Sequence, residues 1–433
     1  MRRFQFVAFT LALMAGTSAH ALTLQEALQK ASKDNPILQA KRAEVDSFVQ
    51  AYKVARGGFF PSLSLEGDWA VDERDPDNSN KINAHPRGVS LVLTQNIYRG
   101  GEVLANTRAA RNNLMASQSD LRNTEQQLFL QVVQAYIGVL RDQEVVALNN
   151  FQVEVLNRQL EATRSRFELG EVTKTDVSQA EARLAAAKAN AVQAAGTLVT
   201  SRAVFEELVG TAAENLSWPE ARADYPNKVA DIMDQVLARH PLVEQAIAQL
   251  SASKYSVESA RSGFLPDVTA QASVGRREGT IGSNDYDERK LMLNASMPLF
   301  AGGSNLATYR QAVANENRAQ ENYQNARRQV QRELVDAFNN YMTTRARLVS
   351  LKQSVAANKL ALEGVEKETQ VGSRTVLDLL DAQAELLNSQ VDQTRTRADT
   401  LSSAFRLSAA MGRLTAQDMK NFYPDFESPK EPE

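Results

Sequence analysis

The 433-residue sequence contains no cysteine, which excludes disulfides and thiolate metal sites. Histidine is nearly as scarce, with His20, His85 and His240 the only three. None has a metal-spaced partner or a nucleophile set beside it, so neither a zinc site nor a catalytic triad can be assembled. Beyond the first 21 residues no stretch approaches the ~20 apolar residues of a membrane-spanning helix. An excess of charge of one sign is missing too: 49 basic and 52 acidic residues give a net −3, with no basic patch to meet nucleic acid. The Gly-Gly pairs at 100–101 and 302–303 lack the lysine of a phosphate loop and read as strand-to-helix turns. An enzyme is not expected, nor a metal or cofactor.

The chain opens with MRRFQFVAFTLALMAGTSAHA, in which Arg2 and Arg3 precede a short apolar run and an Ala19-His20-Ala21 cleavage site. That order predicts a signal peptide over 1–21 and a mature chain beginning at Leu22. Its removal takes two positive charges and leaves a net −5. No cysteine follows for a lipid anchor. An exported chain without a membrane helix either stays in the periplasm or spans an outer membrane as a β-barrel.

The sequence is written twice. ARGGFFPSL at 55–63 returns as ARSGFLPDV at 260–268, and Asn35-Pro36 returns as His240-Pro241, both at a shift of 205. At a shift of 202, IYRGGEVLA (97–105) matches LFAGGSNLA (299–307), and LGEVTKTDVSQA (169–180) matches VGSRTVLDLLDA (371–382). Matches kept in one order define an internal repeat. The change of shift places tolerant loops near 73–86 and 278–288.

Each copy reads helix, strand, loop, strand, very long helix, turn, helix. The first repeat covers 22–210, with strands about 61–72 and 87–98, a long helix about 102–169 and a helix about 176–209. The second covers 240–412, with strands about 266–277 and 289–300, a long helix about 304–371 and a helix about 376–411. A linker spans 211–239, and a tail expected to be disordered at its end spans 413–433. The long segments contain no proline, and their apolar residues recur in steps of three and four, as in Leu128, Val132, Ala135 and Val139. Sustained spacing of that kind predicts coiled-coil packing.

The strands alternate. Leu63, Leu65, Trp69 and Val71 interleave with Ser62, Ser64, Glu66 and Asp68, and Val89, Leu91 and Leu93 with Ser90 and Thr94, although Val92 breaks the pattern. Val268, Ala270, Ala272 and Val274 interleave with Thr269, Gln271 and Ser273, and Leu291, Leu293 and Ala295 with Asn294 and Ser296. Segments of about ten residues, apolar on one side and polar on the other, are the mark of membrane β-strands. Four strands are too few to close a barrel, which needs about eight. An open edge is not tolerated in lipid, so other copies of the chain must complete it; three copies would supply twelve strands. The loops DERDPDNSNKINAHP and REGTIGSNDYDE suit the outer surface.

The repeated GFFP/GFLP strand starts, the YRGG/FAGG strand ends and the ELGEVTKTDV/QVGSRTVLDLLDAQ turns together resemble the TolC family of outer-membrane factors, over nearly all of the mature chain. The resemblance implies a mainly α fold with a membrane β-barrel. Its two structural repeats would carry long coiled-coil helices plus four strands, and a homotrimer would form a 12-stranded barrel in outer-membrane lipid and an α-helical periplasmic tunnel. An equatorial region would lie near 22–33, 211–239 and 413–427. The resemblance also implies a periplasmic adaptor and an inner-membrane pump of ABC, RND or MFS type as partners, for drug efflux or type I protein secretion. It assigns Asp378 and Asp381 to a channel constriction, Arg374 with Thr175 and Asp176 to a gate network, and Gly170 and Gly372 to adaptor docking. Thr369 stands where the family archetype has a gate tyrosine.

Two rival readings remain open from the residues alone: a periplasmic coiled-coil adaptor, which would lack the paired barrel-type strands, and an enzyme using the two aspartates as acid and base. Asp378 also fits a helix start, in Thr375-x-x-Asp378, and the first copy repeats this in Thr173-x-x-Asp176. Capping does not account for Asp381, whose counterpart is Gln179. In a trimer with converging tips the two aspartates would supply six carboxylates, whose mutual repulsion is expected to raise some of their pKa values and attract cations.

Overall fold

The computed structural model describes residues 22–74, 82–219, 225, 228–280, 285–422 and 426. The expected leader, the tips of the two polar loops and the end of the tail lie outside the described residues. A short helix α1 (Leu24–Asp34) opens the chain on a Thr23/Glu26 capping box. Helix α2 (Pro36–Gly57) follows at once, because Asn35 ends α1 and starts α2: its side chain accepts from the Ile37 N–H at 2.9 Å, and Pro36 at the first helical position has no N–H to leave unpaired.

After α2 come β1 (Ser62–Trp69), a small ribbon of β2 (Asp72–Arg74) and β3 (Ile82–Ala84), and β4 (Arg87–Arg99). Helices α3 (Glu102–Glu168) and α4 (Lys174–Val209) close the first copy. A 3-10 turn and α5 (Met233–Arg239) lead into the second copy: α6 (Pro241–Ser262), β5 (Asp267–Glu278), β6 (Tyr286–Ser296), α7 (Ser304–Gln370) and α8 (Val376–Ala410), then α9 (Ala416–Phe422).

The four long strands form one antiparallel sheet in the order β1-β4-β5-β6. Its register pairs Leu65 with Leu91, Leu91 with Val274, and Ala272 with Leu291. One face therefore carries an apolar band, interrupted by Gln95 and bounded by Arg289, Arg276 and Asp287 towards the loops, and most of its large apolar side chains are exposed. The opposite face carries Ser64, Glu66, Ser90, Gln271 and Ser273, with Val92 between Ser64 and Ser273. A one-residue bulge at Ile97 interrupts the β4–β5 ladder. Among the described residues β1 and β6 pair on one side only.

The strand limits differ from expectation in two places. The first strand stops at Trp69 instead of running to 72, and the chain turns off into the β2–β3 ribbon after a last bond from the Ala70 N–H to the Pro86 carbonyl at 2.9 Å. The fourth runs from 286 to 296 instead of from 289 to 300. Pro298 has no N–H for the ladder and ends it early. At the other end, the charged run Asp287 to Lys290 hides three paired residues from an apolar pattern, although Arg276 reaches Asp287 at 4.0 Å.

Helices α3 and α7 have 67 residues each, so each spans about 100 Å. Among the described residues no helix is long and apolar enough to cross a membrane. The largest apolar cluster surrounds the middle of α3, where Phe129, Val132, Tyr136 and Leu140 meet α1, Phe205, Leu414 and Phe426. Tyr136 ties this region together: its hydroxyl donates to the Leu22 carbonyl at 2.8 Å and accepts from the Ser217 N–H at 3.1 Å. A second cluster packs α5 and α8 against Val330, Leu334 and Ala337 near the middle of α7.

The two long helices differ in what covers them. α3 packs against α2, α4, α6 and α8, whereas α7 meets chiefly α6 and α8. The consequence shows at matched repeat positions. Val133 is 0% exposed and Leu140 5%, while their counterparts Val335 and Met342 are 39% and 45% exposed. With Val349, those residues form a bare row seven residues apart, a coiled-coil seam without its partner.

His240 does for α6 what Asn35 does for α2, accepting from the Leu242 N–H at 3.3 Å through Nδ1. Burial pushes its imidazole down to about 4, partly offset by a hydrogen bond to the Ala409 backbone. The folded chain thus resists a proton that the unfolded chain takes up near 6.5, so this contribution is complete above that value and is lost as pH falls towards 4. His240→Asn keeps the cap and removes the titration. Between pH 7 and pH 5 the parent should lose about 2 kcal/mol more stability than this variant, read from unfolding midpoints at the two pH values.

Candidate functional site: the paired helical turns

The α3–α4 and α7–α8 turns are built from the same two signals. Each long helix ends on a glycine in the left-handed region, Gly170 at φ 76° and Gly372 at φ 78°. The Gly170 N–H donates to the Phe167 carbonyl and the Glu171 N–H to Arg166, both at 2.9 Å. Gly372 donates to Thr369 at 3.2 Å and Ser373 to Glu368 at 2.9 Å. This double bond pattern satisfies the last carbonyls of the helix, and a residue with a Cβ adopts the required φ only under strain.

Three residues later the next helix starts on a threonine. Thr173 and Asp176, and equally Thr375 and Asp378, form reciprocal capping boxes. The Asp378 carboxylate accepts from the Thr375 N–H at 3.0 Å and its hydroxyl at 2.8 Å, while the Thr375 hydroxyl oxygen accepts from the Asp378 N–H at 3.1 Å. These bonds, the backbone one foremost, and then the Arg374 charge hold the Asp378 carboxyl below its ordinary range. Hydrogen bonds to the ionised form thus set the shift within one protomer, whereas the expected rise concerns six carboxylates meeting in a trimer.

The two aspartates have different partners. Asp381 leaves the cap and accepts from Arg183 Nη2 on α4 at 2.6 Å. Arg374 turns to Glu368 on its own turn at 3.0 Å, so a single protomer does not bring it to Thr175 or Asp176. Thr175 is exposed and Asp176 is engaged by Thr173. Thr369 is buried and donates back to the Val365 carbonyl at 2.7 Å.

Three features were missed in the sequence. Glu368 and Arg183 carry the two ion pairs, and the residue before each glycine is a large exposed apolar one: Leu169 at 75% and Val371 at 80%. The repeat alignment held a signal for the last, since Leu169-Gly170 and Val371-Gly372 coincide at the shift of 202. Beneath the turns, Val376 and Leu380 are buried in an apolar cluster with Leu156, Leu160, Ala180 and Leu184.

Comparison with known proteins identifies the family and the fold. The family model for outer membrane efflux proteins matches residues 27–211 and again 232–413. The outer membrane efflux protein BepC of Brucella suis is 28% identical over 94% of this chain and 89% of its own length. The outer membrane protein TolC of Escherichia coli is also 28% identical, over 93% of this chain and 84% of its own. Among solved structures, the Campylobacter jejuni CmeC outer membrane channel superposes with a TM-score of 0.83 at 18% identity, covering 94% of this chain and 90% of that one. Matched once along each repeat, this chain belongs to the outer membrane efflux protein family, as an outer-membrane channel reaching into the periplasm and not a periplasmic adaptor.

Proposed function

We propose that three copies of this chain assemble into one export duct, with a shared β-barrel in the outer membrane and a helical tunnel in the periplasm. The observation that carries it is the four-stranded sheet with one apolar face and two bare edges, β1 and β6. Hydrocarbon offers no hydrogen bonds to those edges, and one chain has too few strands to close on itself. The bare seam on α7 supports the same assembly, since a neighbouring copy would bring α2 and α4 to the flank that one protomer leaves open. The duct moves solutes without acting on them chemically. Purified protein in planar lipid bilayers should give discrete conductance steps; a preparation that assembles yet never conducts would refute the reading.

The turns form the periplasmic entrance in this proposal. A periplasmic adaptor docks on the exposed Leu169-Gly170 and Val371-Gly372 tips, and an inner-membrane pump, of ABC, RND or MFS type, delivers the cargo through it for drug efflux or type I secretion. Apolar side chains this exposed at the end of a rod suit a partner surface. Leu169→Ser with Val371→Ser should sharply reduce cross-linking to the adaptor and leave the amount of trimer unchanged, because neither side chain contributes to a core. Equal loss of both would assign the tips to folding alone.

Asp378 and Asp381 line the constriction, and Arg374, Thr175 and Asp176 take part in contacts between neighbouring turns. Arg374 would have to leave Glu368 to do so. Carboxylates gathered on the axis attract cations and repel anions. Asp378→Asn with Asp381→Asn should lower the cation-to-anion permeability ratio severalfold and weaken block by multivalent cations, as measured from reversal potentials and titrated block. Unchanged values would confine the two aspartates to capping and pairing.

A further inference from the structure

We infer that Arg276 and Arg289, with Arg87 beside them, bind the phosphates of outer-leaflet glycolipids at the outer rim of the sheet's lipid-facing side. The inference rests on the barrel reading above. Helices α2, α3, α6 and α7 all join the sheet at one end, so the other end, where β1 stops and β6 begins, faces the exterior. Towards that end the apolar face gives way to charge. Leu63, Leu93, Ala272 and Leu291 make one row across the strands, and Leu65, Leu91 and Val274 make the next, which Arg289 completes. Arg276 stands opposite Asp287 one row further out, and Arg87 lies between Trp69 and Glu278 in the last.

Two observations set these arginines at the level of lipid headgroups and leave them charge to offer. Trp69 is 70% exposed on the same face, and an exposed indole marks a membrane interface. From the exposed Phe60 to Trp69 the chain rises about 30 Å, or roughly 23 Å across a membrane at a barrel tilt of about 40°, which fits an apolar band of about 25 Å. At the rim three arginines meet two acids. Glu278 accepts from Arg87 Nη2 at 2.8 Å through Oε2 and from Arg276 Nε at 3.0 Å through Oε1, so both its oxygens are taken. Asp287 is exposed and stays 4.0 Å from Arg276 Nη1. Among the described residues Arg289 has no ion pair or hydrogen bond. Arg276 and Arg289 are diagonal neighbours on adjacent strands, with Cα atoms about 7–8 Å apart, close enough to share one headgroup. A guanidinium presents paired donors that match phosphate oxygens, and the outer leaflet supplies phosphate at this height.

The other face of the sheet provides a matched control. At the same height Arg277 pairs with Asp68 at 3.1 Å and Lys290 lies opposite Ser273, both turned to the barrel interior. The test titrates lipid A, a diphosphorylated glycolipid, into full-length protein in mild detergent and counts bound lipid by native mass spectrometry. An arginine near a charged lipid surface is worth roughly fivefold in binding, so Arg276→Gln with Arg289→Gln should raise the half-saturating concentration about thirtyfold. Arg289→Gln alone should raise it about fivefold, and supplies the readout should the double variant fail to assemble. Arg277→Gln with Lys290→Gln removes the same charge from the opposite face and should change it less than twofold. The dephosphorylated glycolipid should bind the parent no better than the double arginine variant does, and inorganic phosphate equimolar with the lipid should not displace it. Unchanged binding in the arginine variants, equal loss in the interior control, or displacement by inorganic phosphate would overturn the lipid site. A parent protein that forms no trimer would instead overturn the barrel reading.

Discussion

A strand edge in hydrocarbon has no water to bond with, and most of this molecule's architecture follows from that restriction. The sheet offers lipid an apolar band from Leu63 to Leu293, yet it ends in two unpaired strands. A soluble protein would cover such edges with a loop or a charge. Here they remain open, and neighbouring copies have to close them. Once copies are arranged around a barrel, the helices that continue from its strands are brought side by side, and the bare row on α7 acquires a place to pack. The long coiled coil and the barrel are two outcomes of one constraint on backbone hydrogen bonding.

The turns at the far end obey a different rule. Their backbone is fixed by local chemistry, with a left-handed glycine to stop one helix and a threonine–aspartate box to start the next, and both copies use it. The copies diverge in the side chains around that frame, two of which are buried against the first copy's coil. Val376, Leu380 and Asp381 on one side, and Arg183 on the other, turn two equivalent hairpins into unequal partners.

Much of the fold was legible in the sequence because its signals are periodic or local. The alternation of Leu63 to Trp69 marked a membrane strand, Thr375-x-x-Asp378 marked a helix start, and the match of Asn35-Pro36 to His240-Pro241 marked equivalent places in the two copies, though not their role as caps. The missed parts depend on distance or on charge. The charges from Asp287 to Lys290 broke the apolar rhythm of β6, so its first turns of the ladder were hidden, and Pro298 removed residues that the rhythm alone retained. The Arg183–Asp381 and Arg374–Glu368 pairs involve exposed, flexible side chains, and for the first the partners lie in different repeats. No periodicity announces a contact of that kind.

The most direct test of the account is whether β6 of one copy lies beside β1 of the next. The chain has no cysteine, so pairs introduced one on each edge strand, scanned along Ser62–Trp69 and Tyr286–Ser296, report on that contact without background. Oxidation in membranes should give, for the pairs in register, a ladder that ends at a covalent trimer. A ladder that stops at an internally closed monomer, or that continues past three copies, would contradict a shared three-copy barrel.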